Sequence, residues 1–134
     1  MKVNVCVETK VNPTENNEKV KKALFNLFGD LPVEIKPVHN GQILAIQVCG
    51  QESLNYIRNI LARDRIRDSS RKILRDSTKN DEIIFYLNKQ VAFAGHVSFC
   101  EAEAESPLGP IKVSINCENP AELINWLAPR TIKS

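Results

Sequence analysis

Seven basic residues lie close together in the middle of the chain: Arg58, Arg63, Arg65, Arg67, Arg71, Lys72 and Arg75. Three aspartates accompany them between Tyr56 and Asp76, so this segment carries a charge of +4 (seven minus three), against +2 for the whole chain. Four of the arginines recur at every fourth position and would share one side of a helix. A guanidinium grips a phosphate through two parallel hydrogen bonds and also stacks on nucleobases, whereas a lysine offers only a point charge. The segment therefore favours an anionic partner that meets one face of the protein.

The same segment has a second interpretation, an ion-paired and solvated surface. Asp64 precedes Arg67 by three residues, and Asp68 precedes Arg71 by three and Lys72 by four. These are the spacings at which opposite charges pair within a helix, and networks of such pairs are frequent in proteins adapted to heat. The residue types alone leave phosphate contact and internal pairing equally open.

Two further polar residues, Lys89 and Gln90, fall where two β-rich runs meet. At such a bend a lysine would reach a backbone phosphate, and a glutamine would hydrogen-bond a base edge or a sugar. The alternative is a turn that these side chains fix by their own hydrogen bonds. Together with the basic segment they complete the set of candidate RNA-binding residues: Arg58, Arg63, Arg67, Arg71, Lys72, Arg75, Lys89 and Gln90.

Motifs typical of enzymes and zinc sites are missing from the sequence. It has no glycine-rich phosphate loop and no G-x-S-x-G nucleophile turn. The two histidines, His39 and His96, fall at a turn and after a strand break, where each is expected to be exposed or satisfied by local hydrogen bonds. The four cysteines contain no C-x-x-C pair of the kind that zinc sites use, and we interpret them as small semi-buried hydrophobes. We therefore predict no catalytic residue, no metal and no cofactor.

Carboxylates are the remaining candidates for metal chemistry. Asp64 and Asp68 are four residues apart, as Mg²⁺ ligands on one helix face would be, but the neighbouring arginines make ion pairing the simpler explanation. Glu101, Glu103 and Glu105 alternate along a predicted strand, which is typical of a solvated sheet face or edge. Neither group predicts a metal-dependent nuclease.

The elements that must position these residues begin with a strand and a helix. Alternating valines predict a strand over residues 2–9. Asn12, Pro13 and Glu15 then match an N-cap, a first helical residue and the glutamate of a capping box. A helix is therefore predicted to start at Asn12 and to run to about Phe28.

The middle of the chain predicts a hairpin and a broken helix. Asn40-Gly41 between two apolar runs is a strong hairpin signal. Further on, the apolar stripe that ends at Leu61 resumes only at Ile66, a step that one straight helix does not allow. Either two helices that meet near Arg63-Asp64 or one bent helix is predicted. The second apolar stripe consists of Ile66, Ser70, Ile73 and Leu74.

The remainder of the chain is predicted to be mainly β. Strands are expected over residues 83–87, continuing through 91–94, and again over 96–105 and 111–117, while Asn119-Pro120 opens a closing helix. The resulting order, β-α-β-β-α(α)-β-β-β-α, predicts an α+β fold. In this fold a mainly antiparallel sheet carries its helices packed on one face and leaves the other face open.

Length and composition are those of an ordinary globular protein. The 134 residues suit a single domain, which we expect to span residues 1–134, and 43% of them are apolar. No apolar run approaches the roughly 18 residues that a membrane span needs. The first residues alternate like a strand and do not form a signal peptide. A cytoplasmic location is expected.

Four motifs, taken together, point to a known family. They are Asn12-Pro13-Thr14-Glu15, the run from Arg65 to Arg71, the run from Asn88 to Gly95, and Pro107-Leu108-Gly109-Pro110-Ile111. In this order and spacing they resemble a family of small archaeal proteins, a domain of unknown function for which RNA binding and exosome association have been predicted. The resemblance implies an α+β sandwich like the large-subunit ribosomal protein that holds 5S rRNA, an archaeal cytoplasmic origin and a link to RNA processing or degradation. It supplies no catalytic residue.

Two hypotheses from different classes follow. The first is a non-catalytic RNA-binding protein that uses the basic segment and the Lys89-Gln90 bend. The alternative is a protein-interaction or assembly module, either a homodimer or a subunit that docks onto an RNA-processing complex through the open sheet face or the loop around Leu108. An aromatic content of 6% favours the alternative, because single-stranded RNA binders typically stack bases on aromatic rings. The aromatic candidates for such stacking, each equally suited to the core, are Tyr86, Phe93 and Phe99.

Overall fold

Seven strands and five helices make up the computed structural model, which describes residues 2–101 and 109–131. The strands are β1 (Val3–Val11), β2 (Glu34–Val38), β3 (Gly41–Cys49), β4 (Thr78–Lys79), β5 (Glu82–Asn88), β6 (Phe99–Cys100) and β7 (Pro110–Cys117). The helices are α1 (Asn17–Phe28), α2 (Asn55–Arg63), α3 (Arg67–Asp76), α4 (Lys89–Phe93) and α5 (Pro120–Leu127). A 3₁₀ turn over Gln51–Leu54 leads into α2. Strand β4 and helix α4 have no counterpart in the predicted order.

The strands form an antiparallel sheet in the order β2-β3-β1-β7-β5-β4, with β6 paired to β5. In the central strand β1, Val7 pairs with Ile46 of β3 on one side and with Val113 of β7 on the other. Successive side chains of a strand point to opposite faces, so every second residue of β1 is buried. Helices α1, α2 and α5 bury leucines and isoleucines in the same core. The predicted α+β class is confirmed.

The opposite face of the sheet carries mostly polar side chains. Glu8 of β1 pairs in register with Lys112 of β7, and both are exposed. Cys6 and Tyr86 on this face are half-buried. This face is therefore uncovered within the part of the chain that the structure describes.

The first helix begins later than predicted. Its N-cap is Asn16, whose side-chain oxygen accepts a hydrogen bond from the backbone N–H of Glu18 at 2.8 Å. Residues Asn12 to Glu15 form a turn instead, closed by the Glu15 N–H and the Asn12 carbonyl at 2.9 Å. The Glu15 carboxylate does accept the Asn12 N–H at 2.9 Å, as in a capping box. The predicted start at Asn12 is wrong because this motif satisfies its own hydrogen bonds as a free-standing turn.

The predicted phase break is a joint between α2 and α3. Arg65, with a φ of 58°, occupies the left-handed region that residues other than glycine rarely adopt. The Ile66 N–H donates to the Leu61 carbonyl at 3.0 Å and closes the joint. Ile66 also packs against the core, so the apolar stripes of α2 and α3 both face the core. Of the two predicted alternatives, two helices or one bent helix, the structure has two helices.

Helix α4 replaces part of a predicted strand. The Asn88 side chain accepts a hydrogen bond from the Val91 N–H at 3.0 Å and so caps a short helix at the end of β5. Val91 and Phe93 favour strands by type, but the cap and the burial of Ala92 decide their conformation. The predicted continuation of the strand over 91–94 is therefore wrong.

The strand predicted over 96–105 is present only as β6 within the described ranges. Residues 102–108, which include Glu103, Glu105 and Leu108, lie outside these ranges, and Glu101 is exposed.

Two local signals are confirmed without change. The hairpin turns at His39-Asn40, since Val38 pairs with Gly41, and Asn40 has a φ of 62°. Helix α5 starts with Pro120, and the Asn119 side chain accepts the Glu122 N–H at 3.1 Å. Within the described ranges, no helix combines the length and the apolar character that crossing a membrane requires.

Candidate nucleic-acid interface

An open cleft of about 490 Å³ lies where α3 meets the segment that follows α5. We call it the basic cleft, and it is lined by Asp68, Arg71, Lys72, Arg75, Asp76, Arg130 and Thr131. Four cations and two carboxylates give this lining a net charge of +2. A concave surface with an excess of one sign of charge concentrates oppositely charged ligands. The basic cleft is therefore suited to an anion.

Helix α3 presents its cations because its opposite side is buried. Ile66, Ser70 and Leu74 recur at every fourth position, and Ser70 and Leu74 are buried while Ile66 is partly so. The arginines of α3 each follow one of these residues by one position and line one edge of the buried stripe. Ile73, which was predicted to belong to the stripe, is 37% exposed.

The cations of α3 have no carboxylate partner within 4 Å among residues 2–101 and 109–131. The ion pairs in these ranges are Lys21–Glu18, Lys36–Glu34, Arg63–Asp64, Lys89–Glu15 and His96–Asp64. The pairs considered from the sequence, Asp64 with Arg67 and Asp68 with Arg71 or Lys72, do not form. Both aspartates have other partners. The interpretation of α3 as an ion-paired surface is wrong for these pairs, and Lys72 and Arg75 are exposed without a counter-ion from the described chain.

Asp68 ties the segment after α5 to α3. Its carboxylate accepts the backbone N–H of Thr131 at 3.2 Å and also the Thr131 hydroxyl. These two hydrogen bonds, with the charges of Arg67 and Arg130 nearby, hold the pKa of Asp68 below its usual value. The contact brings Arg130 into the lining of the basic cleft.

Two arginines donate to the C-terminal end of α5. Arg58 Nε donates to the Trp126 carbonyl at 2.9 Å, and its guanidinium carbon lies 5.1 Å from the centroid of the Trp126 ring. Arg71 Nη1 donates to the Ala128 carbonyl at 3.4 Å. Cations at this end of a helix stabilise its dipole. Arg58 therefore has a structural role. Arg71 uses Nη1 in its contact with α5, and its buried Nε has no hydrogen-bond partner among the described residues.

Arg67 occupies a position that does not favour helix stability. It is the first residue of α3, and Ile66 before it provides no side-chain cap. A cation at a helix N-terminus opposes the helix dipole, although Asp68 beside it compensates in part. Arg67 therefore does not stabilise α3 through the helix dipole.

Arg63 belongs to a different cluster at the end of α2. Its Nη2 donates to the Gly95 carbonyl at 2.6 Å, and its Nε donates to Asp64 Oδ1 at 3.0 Å. Asp64 Oδ2 lies 2.7 Å from His96 Nδ1. The hydrogen bonds from Arg63 and His96 lower the pKa of Asp64. The predicted stripe from Arg63 to Arg75 is therefore interrupted at the joint, and Arg63 links α2 to the loop after α4.

Lys89 is buried, with only 6% of its surface exposed. Its ammonium donates to Glu15 Oε1 at 2.9 Å and Oε2 at 3.2 Å, and also to the Lys10 carbonyl. Burial alone would raise the pKa of Glu15, but hydrogen bonds from Asn12 and Lys89 outweigh it and lower that pKa. The ammonium is thus held inside the protein, which counts against the predicted phosphate contact by Lys89.

Above this buried pair lies a second cleft, of about 380 Å³, which we call the α1–α4 cleft. Its lining is Thr14, Glu15, Asn16, Lys19, Val20, Ala23, Lys89, Gln90 and Phe93. Gln90 is exposed at the rim, and Lys19 Nζ lies 5.9 Å from the centroid of the Phe93 ring. Of the eight candidate residues, the structure brings Arg71, Lys72 and Arg75 to one cleft and Lys89 and Gln90 to the other.

Sequence reasoning missed Arg130 and Lys19. Arg130 is remote from α3 in the sequence and reaches it only through the contact between Asp68 and Thr131. Lys19 is one of several lysines on α1, and nothing in its spacing distinguishes it. No local signal would have found either residue.

Within the described ranges, no three side chains of His, Cys, Asp or Glu lie close enough to hold a metal ion. Asp64 and Asp68 turn to different partners. Burial raises the pKa of the Cys100 and Cys117 thiols, which keeps both in the neutral form. These two cysteines behave as the small hydrophobes that were predicted.

Comparison with known proteins connects this chain to an archaeal family. A family model described as RNA binding matches residues 4–117. A UPF0201 protein of Pyrobaculum arsenaticum is 40% identical over 99% of this chain and 92% of its own length. A UPF0201 protein of Methanopyrus kandleri is 43% identical over 96% of this chain and 86% of its own length. The crystal structure of a UPF0201 protein of Methanococcus jannaschii has a TM-score of 0.83 and 28% identity, covering 96% of this chain and 95% of that one.

A second UPF0201 crystal structure gives a TM-score of 0.79 with 31% identity, covering 96% of this chain and 94% of that one. Sequence and fold thus agree over almost the full length of both partners in each comparison. The predicted resemblance to an archaeal family is confirmed, and this chain belongs to the UPF0201 family and to the family whose model is described as RNA binding.

Proposed function

We propose that this protein binds RNA without catalysing a reaction on it, and that the basic cleft together with Arg67 contacts the RNA phosphates. The observation that carries the proposal is that the clustered cations of α3 lack carboxylate partners within the described ranges. Like charges at helical spacing repel one another. A polyanion would relieve that repulsion and would release its own counter-ions on binding.

The match to a model described as RNA binding supports the same proposal. The matched residues, 4–117, include all of α3, although Arg130 lies beyond them. Arginine predominates in the cleft, and its fork suits phosphate oxygens better than a lysine ammonium does. Contacts of this kind fix position on the RNA and carry little sequence information.

Salt dependence is the expected signature of this mode of binding. Each phosphate neutralised adds about 0.7 to the slope of log affinity against log salt for a single strand. Five cations, Arg67, Arg71, Lys72, Arg75 and Arg130, therefore set an upper limit of about 3.5 for that slope. A slope near zero would contradict phosphate binding through this cleft.

The test is charge reversal of two exposed cations, Lys72→Glu and Arg75→Glu, in one variant. Neither side chain makes a hydrogen bond or an ion pair within the described ranges, so the fold should be retained. Fluorescence anisotropy with a labelled oligoribonucleotide should show at least a tenfold loss of affinity at low salt, and a slope smaller by about 1.4 or more.

The matched control is Lys22→Glu with Lys2→Glu, which changes the net charge equally on exposed residues outside the basic cleft. It should keep most of the affinity. Equal losses in both variants would mean that net charge and not the cleft attracts RNA. Absence of salt-dependent binding by the unmodified protein would overturn the proposed function.

The cellular setting that we propose is the cytoplasm, in an accessory role in RNA processing or degradation. It is supported by the resemblance to an archaeal family with predicted exosome association, stated above. Co-purification of the tagged protein with RNA-degrading assemblies from an archaeal host would test it, with the Lys72→Glu/Arg75→Glu variant as the comparison.

A second candidate function is an assembly module, favoured by the exposed edge strand β2. All five of its residues are exposed, and Ile35 is 42% exposed. An unpaired strand edge can pair with another chain, although Pro37 limits this. Light scattering of the unmodified protein and of Ile35→Lys would show a dimer that the substitution dissociates if this function is correct.

A further inference from the structure

The α1–α4 cleft carries features of a ligand site that the basic cleft lacks. Its volume of about 380 Å³ falls in the range of small-molecule sites, roughly 300–1,000 Å³. Val20 and Ala23 of α1 form an apolar wall, and Phe93 of α4 stands at the opposite side with 38% of its surface exposed. Apolar surface combined with a few polar groups is typical of small-molecule sites.

The backbone that carries the Phe93 ring is held in place by hydrogen bonds from α1. Asn26 of α1 donates from Nδ2 to the Ala92 carbonyl at 3.0 Å and to the Phe93 carbonyl at 3.1 Å, which ties the end of α4 to α1. The buried pair of Lys89 and Glu15 fixes the start of α4 in the same way. A stacking surface that is already ordered loses little conformational entropy on binding.

Two polar groups beside the ring match the rest of a nucleotide. Gln90 precedes Phe93 by three residues, so both side chains lie on the same side of α4, and Gln90 is exposed. Its amide can donate to and accept from the edge of a base. The Lys19 ammonium, 5.9 Å from the ring centroid, lies over the ring and can bind a phosphate instead.

The contact between Lys19 and Phe93 would give way to a base at little cost. An exposed cation–π contact is weak compared with the stacking of a base on an aromatic ring. Displacement frees the Lys19 ammonium for the 5′ phosphate of the same nucleotide. The buried carboxylate of Glu15 does not oppose the phosphate, because Lys89 neutralises it.

We propose that the α1–α4 cleft binds one unpaired nucleotide, with its base stacked on Phe93, its base edge bonded by Gln90 and its phosphate held by Lys19. This inference rests on the proposed function and deepens it, because a stacked base must be free of a partner strand. The ligand is a nucleobase with its 5′ phosphate, supplied either by a free nucleotide or by an RNA end or loop.

The test compares Phe93→Leu with Phe25→Leu, which removes an aromatic ring that is even more exposed, 49% against 38%, from a part of α1 outside this cleft. Anisotropy with a labelled single-stranded oligoribonucleotide should show about a five- to 150-fold loss for Phe93→Leu, the range expected for one stacked base. Phe25→Leu should bind as the unmodified protein does. Gln90→Ala, at an exposed position, is a second variant that should lose affinity and that does not alter the packing of α1 on α4.

Two further titrations identify the source of the nucleotide. Adenosine monophosphate, titrated while the backbone amide signals of Gln90 and Phe93 are followed by NMR, should shift both signals if a free nucleotide enters the cleft. If only the oligoribonucleotide shifts them, an RNA end or loop is the ligand. A fully duplexed RNA should leave both signals unchanged.

Failure of this inference is distinguishable from failure of the proposed function. If Lys72→Glu/Arg75→Glu loses affinity while Phe93→Leu and Gln90→Ala do not, RNA binding stands and the nucleotide site is overturned. If the unmodified protein shows no salt-dependent RNA binding, the proposed function fails. Shifts of Gln90 and Phe93 with adenosine monophosphate alone would then still support a nucleotide site, and their absence would overturn it.

Discussion

The basic cleft and the α1–α4 cleft use charged residues in opposite ways. In the basic cleft, Lys72 and Arg75 are exposed and have no carboxylate within 4 Å among the described residues. In the α1–α4 cleft, Lys89 is buried and bonded to both oxygens of Glu15. A lysine that meets solvent is available to a partner, whereas a lysine that is desolvated and neutralised holds two elements together. The number of basic residues in a region therefore says little about how many of them can bind RNA.

Because of this difference, substitutions in one cleft should change the stability of the fold and substitutions in the other should change binding. An exposed cation has little interaction to lose when it is replaced, so its substitution changes the free energy of unfolding only slightly. A buried ion pair, once broken, leaves an unpaired buried charge. Substitutions in the two clefts should therefore act on different measurements, and four of them test this contrast.

The largest effect is expected for Lys89→Met. This change leaves the Glu15 carboxylate without its buried partner, and we expect the free energy of unfolding to fall by about 3–5 kcal/mol. Denaturant unfolding followed by circular dichroism measures it. The double variant Lys89→Met/Glu15→Leu should recover much of the loss, because no unpaired charge remains. A loss below about 1 kcal/mol for Lys89→Met would contradict a structural role for the pair.

The next largest effect is expected on the free energy of unfolding at acidic pH. Because the folded protein lowers the pKa of Glu15, that carboxylate contributes stability above its ordinary pKa, 4.5, which is lost as the pH falls through the lowered value. Glu15→Gln should therefore flatten the decline in unfolding free energy below about pH 4.5. Unfolding curves at several acidic pH values measure this. Glu8→Gln, exposed on the open sheet face, is the control for the change in net charge. An unchanged decline in Glu15→Gln would show that the pair does not couple protonation to folding.

A smaller effect is expected at the start of α4. Asn88→Ala removes the side chain that accepts the Val91 N–H at 3.0 Å, and the loss of an N-cap costs about 1 kcal/mol. Thermal unfolding should show the decrease. Asn116→Ala, exposed on β7 and not a cap, is the matched control and should change stability less. Equal values for both would mean that tertiary packing alone holds α4.

The smallest effect is expected in the basic cleft. Lys72→Gln should change the free energy of unfolding by no more than about 0.5 kcal/mol, and at low salt it should raise it, because a like-charge repulsion is relieved. The same denaturant series measures it beside Lys89→Met. A loss as large as that of Lys89→Met would show that the cleft cations have internal partners and would remove the contrast between the two clefts.

Much of the fold follows from patterns that span a few residues. The alternating valines of β1, the hairpin at Asn40 and the cap of α5 at Asn119 all match the structure. In each case near-neighbour sterics or a local hydrogen bond decides the conformation. The start of α1 shows the limit of this approach, because Asn12 and Asn16 offer equally good caps by type. The turn over Asn12 to Glu15 distinguishes them, because it closes its own hydrogen bonds and its Glu15 carboxylate also bonds Lys89.

The candidate site was less accessible to sequence reasoning than the fold. The basic segment was placed on helices correctly, yet its seven cations separate into structural and exposed groups. Arg58 and Arg63 donate to backbone carbonyls of other elements, at Trp126 and Gly95. These contacts cross 68 and 32 residues of chain, and no spacing rule predicts them. The two aspartates at intrahelical spacing likewise bond residues far along the chain, Asp64 to His96 and Asp68 to Thr131.

The sequence by itself determined that a basic α-helical segment would border an antiparallel sheet, because hydrophobic period and capping residues act over one or two turns. It also placed Lys89 and Gln90 next to each other at the end of a strand. The tertiary structure alone decided that Lys89 is neutralised by Glu15, 74 residues away. It also decided that the Asp68 carboxylate accepts a hydrogen bond from Thr131, 63 residues away. The physical reason is that a charge takes the partner that folding brings within hydrogen-bonding distance, and that distance depends on how the layers pack. For this protein, the sequence shows where the cations are, and the packing determines which of them remain available to an external partner.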